Sequence, residues 1–398
     1  MWSSVFRDRN LTGWTDAVKQ DKINGCSGQE RSEGGSMNQS IRKALSMLFI
    51  VLSVAAVFCI AFGNTELADA WEALRRLNPG WLAGLVCCWA AFLFFDVLAT
   101  WHCLRKQGFS IGLFRVLVIN IIGLYYSNIT PGASGGQPMQ VTYMRKAGIP
   151  VGNGTTAVTI RLIANQFMVS LLSLLFLLFN RTFVLDQLAG AIWFVRIGWL
   201  INFAVVPLVL LAAFRRTWVL KLAGGTIGLL ARLRLIRDRE AATGNVSRVL
   251  DTYYTAIHDL LRSPSQILFQ CLFSALSMLS LTGSVVFVYY AFEMAGTPWY
   301  HVLTLSLLLF VSASYTPLPG ASGAQEGGFL YYFRNVFTGG TVGLALLAWR
   351  FFTYYIALFV GVLTLLLERF TRRRTIPSGA ADATGPVPSA EDNGPDAG

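Results

Sequence analysis

Eight apolar blocks dominate the chain, at about residues 44–63, 81–101, 112–130, 154–180, 190–214, 265–292, 299–316 and 341–368. About 20 helical residues cross a hydrocarbon core about 30 Å thick, and backbone inside that core must satisfy its own hydrogen bonds. The chain therefore reads as an all-α integral membrane protein. Its composition, 54% hydrophobic and 13% charged, has only about half the charge of a soluble domain. The formal net charge of +11 lies mostly beside the apolar blocks, so it reads as a topology signal and a contact to anionic lipid, with no nucleic acid bound.

Two of the blocks end in nearly the same words. "PGASGGQP" fills Pro131 to Pro138 after the third block, and "PGASGAQE" fills Pro319 to Glu326 after the seventh. Proline and paired glycines stop helices, and non-helical backbone at membrane depth survives only against protein or a water-filled cavity. Paired breaks at matching positions in two halves point to the central site of a transporter built from inverted repeats. The two copies are expected to face one another.

The positive-inside rule orders the path. Arg42/Lys43, the arginines between Arg215 and Arg262, and the run Arg369, Arg372, Arg373 and Arg374 are assigned to the cytoplasm. Arg105/Lys106 and Arg145/Lys146 share that side only if residues 112–148 enter and return, and the hairpin 299–338 then enters from the opposite face. The expected architecture is an inverted-repeat bundle of about six full spans plus two oppositely oriented re-entrant hairpins. Charge parity alone leaves open whether a hairpin stops at half depth or crosses and returns. Residues 1–40 read as a disordered polar leader with Met37 as a candidate start, and 41–370 as the membrane domain. Within that domain the halves are 41–214 and 265–370, joined by a basic linker 215–264, and 371–398 read as a disordered tail. In the linker, "TIGLLARLRLIR" at 226–237 suits either an interfacial helix or an ordinary basic loop.

Charged and amide groups inside the apolar blocks are the candidate site residues. Glu326, at the turn of the second hairpin, suits either a helix cap or a functional carboxylate that receives a headgroup amine or alternates between pairing and protonation. Arg161 suits a lipid phosphate, an ion pair with a hairpin carboxylate, or snorkelling. Asp96 and Arg350 are each a candidate for half of a structural ion pair, and Arg196 for snorkelling outward. Gln137, Gln140 and Gln325, with Ser134 and Ser322, are candidate cavity or interhelical groups, on hairpin backbone set by Pro131, Gly132, Gly135, Gly136, Pro319, Gly320 and Gly323.

"SNITPGASGGQPMQVTYMRKAGIP" at 127–150 and "TPLPGASGAQEGGF" at 316–329, with Arg161 between them, resemble the flippase-like transmembrane domain of lysylphosphatidylglycerol synthases, the multiple peptide resistance factors. The resemblance covers about residues 41–370. It implies translocation of aminoacylated phosphatidylglycerol or a related lipid, with resistance to cationic antimicrobial peptides, in a bacterial inner membrane with both termini cytoplasmic. The bifunctional relatives continue into a soluble aminoacyl-transferase domain. Here residues 376–398 are low-complexity, so a separately encoded aminoacyl-transferase is the expected partner and an anionic or aminoacylated phospholipid the expected substrate.

Two enzymatic alternatives remain. The chain is a phosphatidylglycerol lysyltransferase or its obligate membrane subunit, or, since Gly132 to Gly136 satisfies G-x-S-x-G, a rhomboid-like intramembrane serine protease. A protease needs a base beside Ser134, and neither His258 nor His301 is well placed for that task. The six cysteines and three histidines have no metal-ligand spacing, and there is no phosphate-binding G-x-x-x-x-G-K-[ST] loop. No cofactor or metal is expected.

Overall fold

The computed structural model describes residues 78–215, 247, 250–255, 257–259, 262–338 and 340–374. The expected leader with Met37, the block 44–63, the segment 226–237 and the low-complexity tail 376–398 lie outside these residues. Among the described residues every regular element is helical. In chain order they are α1 Pro79–Lys106, α2 Leu113–Ile129, a 3₁₀ turn Pro131–Ala133 (tip 1), α3 Gly136–Lys146, α4 Val151–Phe179, α5 Arg181–Gln187 and α6 Ile192–Phe214. The second set is α7 Pro264–Ala291, α8 Trp299–Ala313, a 3₁₀ turn Pro319–Ala321 (tip 2), α9 Ala324–Tyr332, α10 Val342–Arg350, a π-helical turn Phe351–Tyr355 and α11 Ile356–Arg374.

Among the described residues, four helical stretches are long and apolar enough to cross a membrane: α1, α4, α7 and the stretch Val342–Phe370. The pair α5 and α6, bent by 118°, makes a fifth if counted as one span. The expectation of six spans included the block 44–63, outside the described residues. Large apolar side chains are left uncovered on these helices, among them Leu200 at 72% and Phe359 at 70% exposure, which suits a lipid surface. The protein is a membrane protein with several candidate spanning helices.

The arms that lead into the two tips are shorter. With 17 residues in α2 and 15 in α8, they measure about 25 Å and about 22 Å, less than the roughly 30 Å hydrocarbon thickness. Two departures from the sequence expectation stand out. The block 190–214 is preceded by the separate short helix α5, and the final block 341–368 is interrupted where α10 gives way to the π-helical turn directly after Arg350. Such turns concentrate at functional positions.

Among the described residues are three apolar cores, the smallest around Met278, Leu307 and Val311. The first is built from α1, α2, α3 and α4 around Leu104, Ile119, Met144 and Ile160. The second joins α7, α8, α9 and α10 around Val288, Leu305, Phe329 and Phe333. Glycine lets α3 lie close against α2, because a Cβ on Gly136 would overlap Ser127 Oγ and the Gly123 carbonyl.

Candidate functional site

The two octapeptides fold alike and meet. Gly132 and Ala133 both have left-handed backbone, with φ 59° and 55°, and Gly320 and Ala321 repeat it with φ 61° and 50°. The Gly132 amide donates to the Pro317 carbonyl across the junction at 2.9 Å. An alanine in this region is strained by about 1–2 kcal/mol, so the turn is imposed by its surroundings.

The copies diverge at the serine. Ser134 is helical (φ −66°, ψ −23°), whereas Ser322 is extended (ψ 147°) and is followed by left-handed Gly323 at φ 85°. The eighth residue explains the difference. Both octapeptides start a helix at the same register, so Pro138 and Glu326 each fall in a first turn. Proline needs no amide partner there, while Glu326 Oε2 folds back to accept the Gly323 amide at 2.6 Å. In the first copy the Gly135 amide donates instead to Thr130 Oγ1 at 2.8 Å.

A cavity of about 440 Å³ lies where the tips meet. Its wall includes Gly132, Ala133, Gly320 and Ala321 from the tips, the side chains of Gln137, Gln140 and Gln325, and the charges of Asp96, Arg161 and Arg350. Hydroxyls and amides from α2, α4, α7 and α8 complete the polar part, among them Ser127, Asn165, Ser277 and Ser306. A polar chamber inside an apolar bundle suits a hydrated or charged guest.

Asp96 and Arg350, each a candidate for half of an ion pair, belong to two separate pairs. Arg161 Nη1 lies 3.1 Å from Asp96 Oδ2, and Arg350 Nη2 lies 2.7 Å from Glu326 Oε1. Topology is the reason. Asp96 on α1 meets α4 in the first core, while Arg350 at the end of α10 meets the start of α9 beneath tip 2.

The first pair is well supplied with partners. Arg161 Nη1 also donates to Thr100 Oγ1 at 3.2 Å, and Nη2 donates to Gln140 Oε1 at 3.0 Å. Asn120 Nδ2 donates to Asp96 Oδ2 at 2.8 Å and holds that carboxylate from α2. Both charged side chains are about one-fifth exposed, at 20% for Arg161 and 23% for Asp96.

The second pair is almost sealed, with side-chain exposure of 4% for Arg350 and 7% for Glu326. The Arg350 guanidinium lies against the rings of Trp349 and Tyr354, and its Nε has no partner. Arg350 Nη2 also makes a long 3.4 Å contact with the Gly320 carbonyl. Tyr354, from the π-helical turn, covers Gly320 and donates to the Asn128 carbonyl at 3.3 Å, which links the C-terminal helices to the approach of tip 1.

Not every candidate borders the cavity. Glu326 sits behind tip 2, Ser322 is buried with an unpartnered Oγ, and exposed Ser134 donates to its own turn at Pro131 O, 2.9 Å away. Pro131, Gly135, Gly136, Pro319 and Gly323 contribute backbone shape. No histidine is among the lining residues. The sequence reading missed Asn120, Thr100 and Tyr354. An apolar-block asparagine one helix away from an aspartate was the available signal for the first.

The family described as the lysylphosphatidylglycerol synthase transmembrane region matches residues 44–361, which include both octapeptides, both ion pairs and every residue of the cavity wall. A protein of Archaeoglobus fulgidus named as a UPF0104 membrane protein is 25% identical over 325 residues, spanning 80% of this chain and 95% of its own length. With its tips, its cavity and this match taken together, the chain belongs to the family of the lysylphosphatidylglycerol synthase transmembrane region.

Proposed function

We propose that this protein translocates a phospholipid between leaflets, passing the headgroup through the cavity between the tips while the acyl chains stay in lipid. The observation that carries the reading is a polar chamber walled by both helix-breaking tips and by Arg161 and Arg350, inside a bundle whose outer faces are apolar. In this reading the two hairpins enter from opposite faces of a bacterial inner membrane as halves of an inverted repeat, with both termini cytoplasmic, and the Gly132 to Pro317 contact is the closed junction between them.

Arg161 receives the headgroup phosphate, because its planar fork is already oriented by Asp96 and Gln140. Asp96 borders the cavity and receives a headgroup amine, the role for which Glu326 was also a candidate. Aminoacylated phosphatidylglycerol has both groups, and moving it outward lowers surface negative charge and resists cationic peptides. A separately encoded aminoacyl-transferase supplies the lipid.

The test expresses the protein in a bacterium lacking its own homologue, with and without a soluble lysyl-phosphatidylglycerol synthase, and counts outer-leaflet aminolipid with an impermeant amine-reactive probe. The expected result is outer-leaflet lipid only when both are present. A rise in total aminolipid with this protein alone would instead establish the lysyltransferase.

A further inference from the structure

Resting on that reading, we infer that the Arg350–Glu326 pair is an exchange site for an oxyanion. A singly charged oxyanion such as a headgroup phosphodiester, received first at Arg161, passes to Arg350 in place of Glu326, and Glu326 takes up one proton, so each anion crosses with one proton.

Charge balance drives the argument. The pair is nearly sealed, at 4% and 7% side-chain exposure, and is neutral as found. An anion added to it leaves one uncompensated negative charge away from water, which such a site does not tolerate. Arginine keeps its charge at any accessible pH. Among the described residues, the hydroxyls of Tyr354 and Tyr355 also interact with Glu326, and ionising them adds negative charge. Glu326 is therefore the group whose protonation restores neutrality.

Unused donors mark the same place. Arg350 Nε and, at the adjoining tip, Ser322 Oγ are buried without partners among the described residues, and an oxyanion supplies an acceptor for Nε. Arg350 itself borders the cavity. The Asp96–Arg161 pair differs, because it is about one-fifth exposed and tolerates the added charge of the phosphate it first receives.

The step makes and breaks no covalent bond except to hydrogen. The contact between Arg350 Nη2 and Glu326 Oε1 opens, a proton from the aqueous side binds Oε1, and the anion accepts from Nη2 and Nε. Oε2 keeps the Gly323 amide throughout. Release of anion and proton on the far side closes the pair again.

The experiment reconstitutes the full chain in vesicles of phosphatidylcholine with fluorescent phosphatidylglycerol and a pH-sensitive dye trapped inside. Lipid flipping, proton entry and uptake of radiolabelled inorganic phosphate are followed from about pH 5 to about pH 8. Expected are a flipping rate that falls about tenfold per pH unit once the protonated form is scarce, one proton per lipid, and loss of both features in Glu326→Gln. Flipping with a flat pH profile and no proton entry overturns the exchange and leaves translocation standing. Phosphate entering with protons while lipid stays put does the reverse, and movement of neither removes both. If Glu326→Gln fails to fold, the proton count on the unaltered protein decides.

Discussion

Arg350 Nη2 lies 2.7 Å from Glu326 Oε1, and the other oxygen of the same carboxylate accepts the Gly323 amide. One side chain thus ties the end of α10 to the start of α9 and fixes the turn by which tip 2 enters α9. Removing one member of a buried pair strands the other and costs about 3–5 kcal/mol, whereas replacing both with apolar groups costs far less. Glu326→Ala is expected to lose about that much in reversible unfolding in mixed micelles. The double variant Glu326→Ala with Arg350→Met is expected to be more stable than Glu326→Ala alone, and additive losses would show that the two residues are not coupled.

The tips differ in how much room they leave. Gly132 and Gly320 have almost the same φ, so alanine at either meets the left-handed penalty of about 1–2 kcal/mol. A Cβ at Gly132 meets nothing within 4 Å, but at Gly320 it overlaps the Tyr354 ring. Gly320→Ala is therefore expected to destabilise more than Gly132→Ala by about 1–3 kcal/mol, the cost of overpacking, in the same unfolding assay. Equal losses would mean that Tyr354 moves aside freely.

Much of this was legible from residue patterns. Block lengths located α1, α4 and α7 closely, because membrane helices must be long and continuously apolar. Repetition of the octapeptide announced two matching turns, since Gly and Pro at fixed offsets dictate backbone shape whatever surrounds them. The pairing of charges was not legible: Asp96 and Arg350 are each within apolar blocks, and only packing decides that Arg161 reaches one and Glu326 the other. The π-helical turn was hidden too, as "FFTYY" at 351–355 is equally compatible with a regular helix. Divergence of the two serines followed from Pro138 and Glu326, a difference visible in the sequence whose geometric consequence required the folded chain.

Contact between α2 and α3 depends on a missing side chain. A methyl on Gly136 would overlap Ser127 Oγ and approach the Gly123 carbonyl to 2.6 Å, while the matching position of the second copy already holds Ala324. Gly136→Ala is expected to cost about 1–3 kcal/mol and to lower the unfolding midpoint, and Ala324→Gly to cost at most about 1 kcal/mol. A neutral Gly136→Ala would show that the first hairpin opens without resistance.

Arg161 makes its contacts as a fork, with Nη1 on Asp96 and Thr100 and Nη2 on Gln140. A lysine keeps the charge but presents one ammonium on a flexible stem, so it does not hold α1 and α3 at once or offer a phosphate two parallel donors. The pair is only about one-fifth exposed, but the ammonium keeps the charge beside Asp96, so the stability at stake is small. Arg161→Lys is therefore expected to unfold at nearly the midpoint of the unaltered protein while its initial rate of lipid flipping in vesicles falls about tenfold or more, equivalent to at least about 1.4 kcal/mol in the barrier. Arg161→Lys flipping at the full rate would reduce Arg161 to a source of charge, and a large drop in midpoint would make it a brace between helices.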